Sequence, residues 1–154
     1  GTIKSNLLWG NKEATDEEIL TALKNAEVLD VVLSKDGKLD AIVEQNGRNF
    51  SGGQKQRLTI ARALIRKPEV LIFDDSQSAL DYQTDAKLRK NLKELDYNPT
   101  IFMVSQRTSS IMNADKIVVL EEGRMVGFGT HEELLKSCVV YQEIHYSQFP
   151  KEEY

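Results

Sequence analysis

Residues 50–57 read FSGGQKQR and open the longest helical pattern in the sequence, which runs to about Arg66. Ser51 is suited to cap that helix because its hydroxyl can accept a hydrogen bond from a free backbone N–H group of the first turn. Gly52 and Gly53 follow, and neither carries a Cβ that would keep a ligand away from those groups. Since the positive end of the helix dipole lies at the same place, the stretch predicts an anion site, best suited to phosphate. The alternative is an ordinary capped helix start, which two glycines alone would favour.

Short, continuously apolar runs follow this helix and predict buried strands. They are Val70–Phe73, Ile101–Val104, Ile117–Leu120 and Met125–Phe128. The polar, helix-prone segment Asp85–Leu95 separates the first two runs, and this alternation is typical of parallel strands in an α/β layered fold. A Glu-Gly turn joins the last two runs, which therefore predict a hairpin at the edge of the sheet.

Capping boxes mark two further helix starts, one at Thr15 with Glu18 and one at Thr130 with Glu133. The predicted elements around them are a helix over Asp16–Asn25, a short helix over Val28–Leu33, a loop over Ser34–Gly47 and a last helix from Thr130 to about Val140. We expect Trp9, Phe50 and the single cysteine, Cys138, to pack inside the protein.

Composition excludes several classes of protein. The 154 residues carry 20 Lys and Arg against 24 Asp and Glu, a net charge of −4, which argues against a chain that mainly coats nucleic acid or an anionic membrane. One cysteine excludes an intrachain disulfide framework and fits a reducing compartment. No apolar run approaches the roughly 18 residues of a membrane span, so we expect any membrane role to depend on a partner or a segment outside these residues.

Two carboxylates, Asp74 and Asp75, directly follow the apolar run Val70–Phe73. The C-terminal end of a buried strand is where open α/β sheets bind ligands. One carboxylate can hold Mg²⁺, which prefers hard oxygen ligands, and the other can orient or deprotonate an attacking water. Alternatively, the two acids lie in a turn and cap the next helix. These residues alone support the ligand site and the turn about equally.

Taken together, these motifs resemble those of the ATP-binding cassette (ABC) ATPases. Residues 51–54, SGGQ, are similar to the family's signature motif, residues 70–75, VLIFDD, to its Walker B strand, and residues 78–81, SALD, to its D-loop. Residues 1–10 resemble the stretch after the Q-loop of exporter-type cassettes, and residues 127–134 resemble their closing segment. The resemblance covers almost the whole chain, and the motifs follow one another in the same order as in the family.

The resemblance implies an α/β fold: a partial P-loop NTPase (ABC ATPase) core with parallel strands, plus the ABC helical subdomain. We expect the helical subdomain with the signature motif at residues 1–66, the C-terminal half of the catalytic core at 67–142, and a tail at 143–154. A P-loop, G-x-x-x-x-G-K-[ST], is absent from the sequence, whose one Gly-Lys pair at 37–38 lacks the other motif residues. We therefore interpret the chain as a C-terminal fragment that by itself is inactive as an ATPase.

The resemblance also assigns site residues for ATP and Mg²⁺. Asp74 is the implied magnesium ligand, Asp75 stands at the position of the catalytic base, and Gln106 at the switch position near the γ-phosphate. The implied nucleotide-binding residues are Ser51, Gly52, Gly53, Gln54 and Asp81. The family usually has glutamate and histidine where this chain has Asp75 and Gln106. Aspartate is one methylene shorter, and glutamine cannot titrate, so the two departures predict a degenerate site.

The implied function is that of an ATP-binding domain of a multidrug-like ABC exporter, which hydrolyses ATP to drive transport at the cytoplasmic face of the cell membrane. The implied partners are a second nucleotide-binding domain, in a heterodimer, and a transmembrane domain that alone contacts the membrane; nucleic acid is not expected. In such pairs each ATP lies between the Walker motifs of one domain and the signature motif of the other. The intact signature would then serve the partner's working site, and the side built on Asp75 and Gln106 would belong to a slow one.

Two alternatives remain from the sequence. An ABC-type ATPase of DNA repair or chromosome maintenance shares these motifs, but such proteins usually carry long coiled-coil insertions, and this chain has no heptad run. A catalytically silent regulatory ABC domain is the other alternative, and Asp75 and Gln106 favour it somewhat.

Overall fold

The computed structural model describes residues 1–74 and 79–149, and the chain divides into two compact units, Gly1–Phe102 and Met103–Tyr154. The helices of the first unit are α1 (Ile3–Leu7), α2 (Asp16–Asn25), α3 (Leu29–Leu33), α4 (Gly52–Leu64) and α5 (Tyr82–Lys93). Strand β1 (Val70–Asp74) pairs with β2 (Thr100–Val104). Short 3₁₀ turns, Lys38–Asp40 and Gln45–Gly47, lie within the predicted loop. The α/β class is confirmed, and the boundaries after residues 66 and 142 stay predictions.

The core of the first unit lies among its longer helices. Apolar side chains of α2 recur at helical spacing and pack with those of α4, because each helix has one apolar stripe to bury. The fully or nearly fully buried side chains of these helices and of α5 are Ile19, Leu23, Ile60, Ala61, Leu64, Leu88 and Leu92. On β1, Leu71 and Phe73 are buried, whereas Val70 and Ile72 on the opposite face are exposed together with Phe102 of β2.

The second unit is built on an antiparallel hairpin. After α6 (Thr108–Ile111), strands β3 (Ile117–Glu121) and β4 (Arg124–Gly129) pair, and α7 (His131–Ser137) and α8 (Val139–Gln148) follow. The predicted hairpin is confirmed, with Val118 opposite Phe128 and a bulge between Val119 and Leu120. Its predicted place at the edge of the sheet is wrong, because among the described residues β3 and β4 pair only with each other and form a two-stranded sheet of their own. One hairpin face packs on α7 and α8, and the opposite face leaves Val118, Leu120, Met125 and Phe128 exposed.

The prediction of one continuous helix from Thr130 to Val140 is wrong, because the helix is interrupted at Cys138. Its backbone is extended, with φ −117° and ψ 105°, and it separates α7 from α8. The buried Cys138 side chain packs against the hairpin so closely that a Cβ at Gly127 would lie 2.8 Å from its sulfur. Gln142 stabilises the break, since its side-chain amide donates a 2.8 Å hydrogen bond to the Leu135 carbonyl at the end of α7.

Trp9 is exposed over 83% of its surface, so its predicted place in the core is wrong, whereas Phe50 is 5% exposed as expected. The next residue explains the difference. Gly10 approaches α4 so closely that a Cβ there would lie 2.2 Å from the Arg62 carbonyl oxygen. The backbone of this turn therefore occupies the space against α4, and the Trp9 side chain is directed to solvent.

We expect Phe50→Ala to lower the free energy of unfolding by about 3–5 kcal/mol, because it removes a buried aromatic ring and leaves a cavity. The matched variant Trp9→Ala should change it by no more than about 0.5 kcal/mol, since an exposed ring loses little packing. Urea denaturation followed by circular dichroism measures both. A loss for Trp9→Ala as large as that for Phe50→Ala would contradict the two positions.

In the part of the chain that the structure describes, no helix is long and apolar enough to cross a membrane.

Candidate functional site

The start of α4 is a capping box. The Ser51 hydroxyl accepts a 3.3 Å hydrogen bond from the Gln54 N–H, and the Gln54 side-chain oxygen accepts a 3.0 Å hydrogen bond from the Ser51 N–H. Within residues 1–74 and 79–149, no hydrogen bond is made by the N–H groups of Gly52 or Gly53, which occupy the first two helical positions. These two donors, at the positive end of a 13-residue helix, are therefore suited to an anion.

The two glycines have different surroundings. A Cβ at Gly52 would meet no atom within 4 Å, so this residue is open to a ligand. A Cβ at Gly53 would lie 2.9 Å from the carbonyl oxygen of Ala79, and only glycine permits so close an approach of backbone to backbone. The predicted signature motif therefore packs directly against Ala79, a residue of the predicted D-loop.

The side chain of Arg57 fixes α4 against the end of α2. Its Nε donates a 3.2 Å hydrogen bond to the Gly53 carbonyl, and a guanidinium nitrogen donates to the Glu27 carbonyl. Asn91 of α5 reaches the same place, with hydrogen bonds of 2.7 Å to the Glu27 carboxylate and 3.2 Å to the Asn25 carbonyl. Three helices thus meet at one junction that sequence reasoning missed, because its partners lie 30 or more residues apart.

The segment that leads into the signature is held by Lys35. Its ammonium group donates a 2.9 Å hydrogen bond to the Asn49 carbonyl and lies 4.6 Å from the centre of the Phe50 ring. The Asn49 side chain accepts from the Glu44 N–H at 3.2 Å and donates to the Ile42 carbonyl at 2.8 Å. These contacts fix the position of Ser51 from the preceding side.

Of the two predicted Walker B carboxylates, the structure describes Asp74. Asp74 is the last residue of β1, and its exposed side chain extends from the strand end where a ligand was predicted. Asp75 lies outside the described residues. One carboxylate at a strand end suits Mg²⁺, which in nucleotide sites takes one or two protein carboxylates together with phosphate oxygens. No cluster of three metal-ligating side chains occurs within residues 1–74 and 79–149.

Asp81 caps α5. One carboxylate oxygen accepts a 2.9 Å hydrogen bond from the Thr84 N–H, and the other accepts a 2.7 Å hydrogen bond from the Thr84 hydroxyl. The bonds from Thr84 hold the pKa of Asp81 below its usual range, so this carboxylate is ionised at neutral pH. Asp81 follows two residues after Ala79 in the sequence, and the Ala79 carbonyl is the group that Gly53 approaches.

Gln106, the predicted switch residue, belongs to the second unit and has an exposed side chain. It lies between the end of β2 and the start of α6. The Ser105 hydroxyl accepts a 3.0 Å hydrogen bond from the Arg107 N–H. The Gln106 carbonyl accepts a 2.7 Å hydrogen bond from the side chain of Gln148 in α8, a contact between residues 42 positions apart that sequence reasoning missed.

Beside this segment, α7 and α8 form an aromatic cluster. His131 Nδ1 lies 2.8 Å from the Tyr141 hydroxyl, and His145 Nδ1 lies 3.2 Å from the hydroxyl of Thr108. The His145 ring stacks on Phe149 with 5.1 Å between the ring centres. Burial, and secondly the nearby charge of His131, lower the pKa of His145, so this ring is neutral above pH 7.

A comparison with known protein families identifies the family to which this chain belongs. The ABC transporter family model matches residues 2–78. This chain belongs to the ABC transporter family. The matched stretch contains both the capped start of α4 and the Walker B strand, and the family predicted from the sequence motifs is confirmed.

Individual ABC proteins are similar over almost the whole chain. YfiB of Bacillus subtilis, an uncharacterized ABC transporter ATP-binding protein, is 45% identical over 152 residues, which are 99% of this chain and 26% of YfiB. Rv1273c of Mycobacterium tuberculosis, with the same description, is 45% identical over 151 residues, 96% of this chain and 26% of its own. The structure of a bacterial Atm1-family ABC exporter with ATP bound matches with a TM-score of 0.90 and 32% identity, over 98% of this chain and 26% of the exporter chain. This chain thus spans about a quarter of the length of the proteins it matches.

Proposed function

We propose that this chain is the ATP-binding part of an ABC exporter, in which ATP binding and hydrolysis drive transport across a membrane. The observation that carries the proposal is the start of α4, where Gly52 and Gly53 present two N–H groups without internal acceptors and the surface at Gly52 is open. Backbone donors at a helix N-terminus are suited to phosphate. The likeness to an exporter with ATP bound supports the same function.

The resemblance to ABC ATPases gives each site residue its proposed role. Gly52 and Gly53 donate hydrogen bonds to phosphate oxygens, and the Ser51–Gln54 capping box holds their N–H groups in place. Asp74 would hold Mg²⁺ at the end of β1, and Asp75 orients the attacking water. Gln106 donates a hydrogen bond from its amide near the γ-phosphate. ATP would supply the phosphoryl group, and Mg²⁺ held by Asp74 would neutralise the negative charge that develops on it.

The division between a working and a slow site is part of the proposal. The signature residues Ser51, Gly52, Gly53 and Gln54, with Asp81 of the D-loop, serve the ATP bound on a partner's Walker motifs. Asp75 and Gln106 stand where the family has a glutamate base and a switch histidine, so the site on this chain's own Walker B side turns over slowly. The partner is accordingly a second ABC nucleotide-binding domain with a different sequence, in a heterodimer.

Exposed apolar side chains of the first unit indicate a surface for a further partner. Trp9 is 83% and Ile42 is 62% exposed, and large exposed apolar groups are typical of protein interaction surfaces. We assign them to the transmembrane domain of the exporter, which places this chain at the cytoplasmic face of the cell membrane. Residues 1–154 by themselves, without a P-loop, bind ATP weakly and do not hydrolyse it.

The test is ATP turnover by the purified natural protein that contains this sequence, in lipid with its partner. Asp75→Asn should change turnover by less than about twofold, because the slow site contributes little. A general base in a working site is worth roughly 10²–10⁴ in rate, so a loss of that size would show that Asp75 belongs to the working site instead. Absence of ATP turnover in the unmutated complex would contradict the proposed function and favour a regulatory domain.

A further inference from the structure

The side-chain amide of Gln148 bridges two backbone groups on either side of Arg107. Its Nε2 donates a 2.7 Å hydrogen bond to the Gln106 carbonyl, and its Oε1 accepts a 3.0 Å hydrogen bond from the Thr108 N–H. Because the donor and the acceptor of one rigid amide are both engaged, the bridge fixes the backbone on both sides of Arg107 at once.

Neighbouring contacts hold Gln148 itself in place. The Gln148 Nε2 lies 3.3 Å from the Ile144 carbonyl one helical turn earlier. In the same turn, His145 Nδ1 lies 3.2 Å from the hydroxyl of Thr108, a residue that is almost completely buried. Helix α8 therefore contacts the start of α6 through two side chains, and the bridge is part of a packed contact within the second unit.

Gln106 needs such support because it lies in neither a helix nor a strand. Its backbone connects β2 to α6, and its side chain is exposed. The direction of that side chain depends on the backbone conformation at residues 105–108. A displacement of about 1 Å in a group that acts on a phosphoryl transfer can cost a large factor in rate.

We propose that Gln148 is a positioning residue for Gln106 in ATP hydrolysis, so that helix α8 sets the geometry of the switch segment. This inference rests on the proposed function, because it assumes that Gln106 acts near the γ-phosphate. Gln148 bonds the switch segment through the Gln106 carbonyl and through Thr108, not through the Gln106 side chain, so its effect on the reaction passes through the position of Gln106.

The test compares Gln148→Leu with a matched control on the same helix. Gln142→Leu also removes a 2.8 Å amide-to-carbonyl hydrogen bond, but that bond runs to Leu135 in α7 and not to the switch segment. Both variants are made in the natural protein that contains this sequence. The two readouts are hydrogen exchange at the Thr108 amide without nucleotide and steady-state ATP turnover. Turnover is measured with Gly53→Asp also present, which silences the partner's working site and leaves the slow site visible.

We expect Gln148→Leu to accelerate exchange at Thr108 about two- to tenfold, the effect of losing one net hydrogen bond. It should lower kcat of the slow site by at least the same factor and leave KM for ATP nearly unchanged, while Gln142→Leu alters neither readout. A third variant, Gln148→Glu, keeps an acceptor for Thr108 but loses the donor to Gln106, so it should protect the Thr108 amide and still lower kcat.

Unchanged Thr108 exchange in Gln148→Leu would overturn the inference by itself, whatever the ATP turnover. Faster exchange with a kcat equal to that of Gln142→Leu would also overturn it, since the bridge would then be structural only. A protein that does not hydrolyse ATP at all would overturn the proposed function first, and this inference with it.

Discussion

Gly53→Asp is expected to lower ATP turnover of the natural complex by about a hundredfold or more, the scale of losing one preorganised donor to a developing negative charge. A carboxylate at this place would repel phosphate where two N–H groups should attract it. The added Cβ would also lie 2.9 Å from the Ala79 carbonyl oxygen and force the signature away from the D-loop. The measurement is steady-state ATPase activity of the purified complex.

Two control variants separate charge from crowding. Gly52→Asp introduces the same carboxylate at a position where a Cβ meets no atom within 4 Å, and Gly53→Ala introduces the crowding without the charge. If phosphate repulsion dominates, Gly52→Asp should be nearly as damaging as Gly53→Asp. Normal activity in Gly53→Asp would show that the signature of this chain serves no working site.

The double variant Asp75→Glu, Gln106→His is expected to raise turnover of the slow site by roughly a hundredfold, since a well-placed general base contributes about 10²–10⁴ in rate. Glutamate restores the reach of the base, and histidine restores a side chain that can carry charge at the switch position. The gain is measured in the Gly53→Asp background, where the working site does not mask it.

Each single variant is the control for the pair. Asp75→Glu alone should give most of the gain, because the base acts on the water directly and the switch residue supports it. A double variant no faster than its Gly53→Asp parent would mean that this site is slow for a reason other than these two side chains.

Elements with local determinants were predictable from the sequence. Helix α2 has its predicted bounds because Thr15 and Glu18 form the capping box that the spacing indicated. Helix α4 begins after Ser51 for the same reason. In both cases the donor and acceptor lie three residues apart, so the sequence contains the whole interaction.

Features that depend on distant contacts were not predictable. No proline or glycine marks the break at Cys138, which arises because α7 and α8 both pack on the hairpin. Trp9 has a large apolar side chain of the kind that usually packs in a core. Its exposure is explained only by the close approach of Gly10 to the Arg62 carbonyl. The roles assigned to the site residues from the motifs stay predictions, although the structure places Gly53 against the D-loop.

The exposed apolar faces of the strands have a practical consequence for producing this polypeptide. Val70, Ile72 and Phe102 leave one such face in the first unit, and Val118, Leu120, Met125 and Phe128 leave another in the second. Exposed apolar strands recruit further chains. A preparation of these 154 residues is therefore expected to precipitate as it is concentrated, and a highly charged carrier fused to it should extend its working concentration.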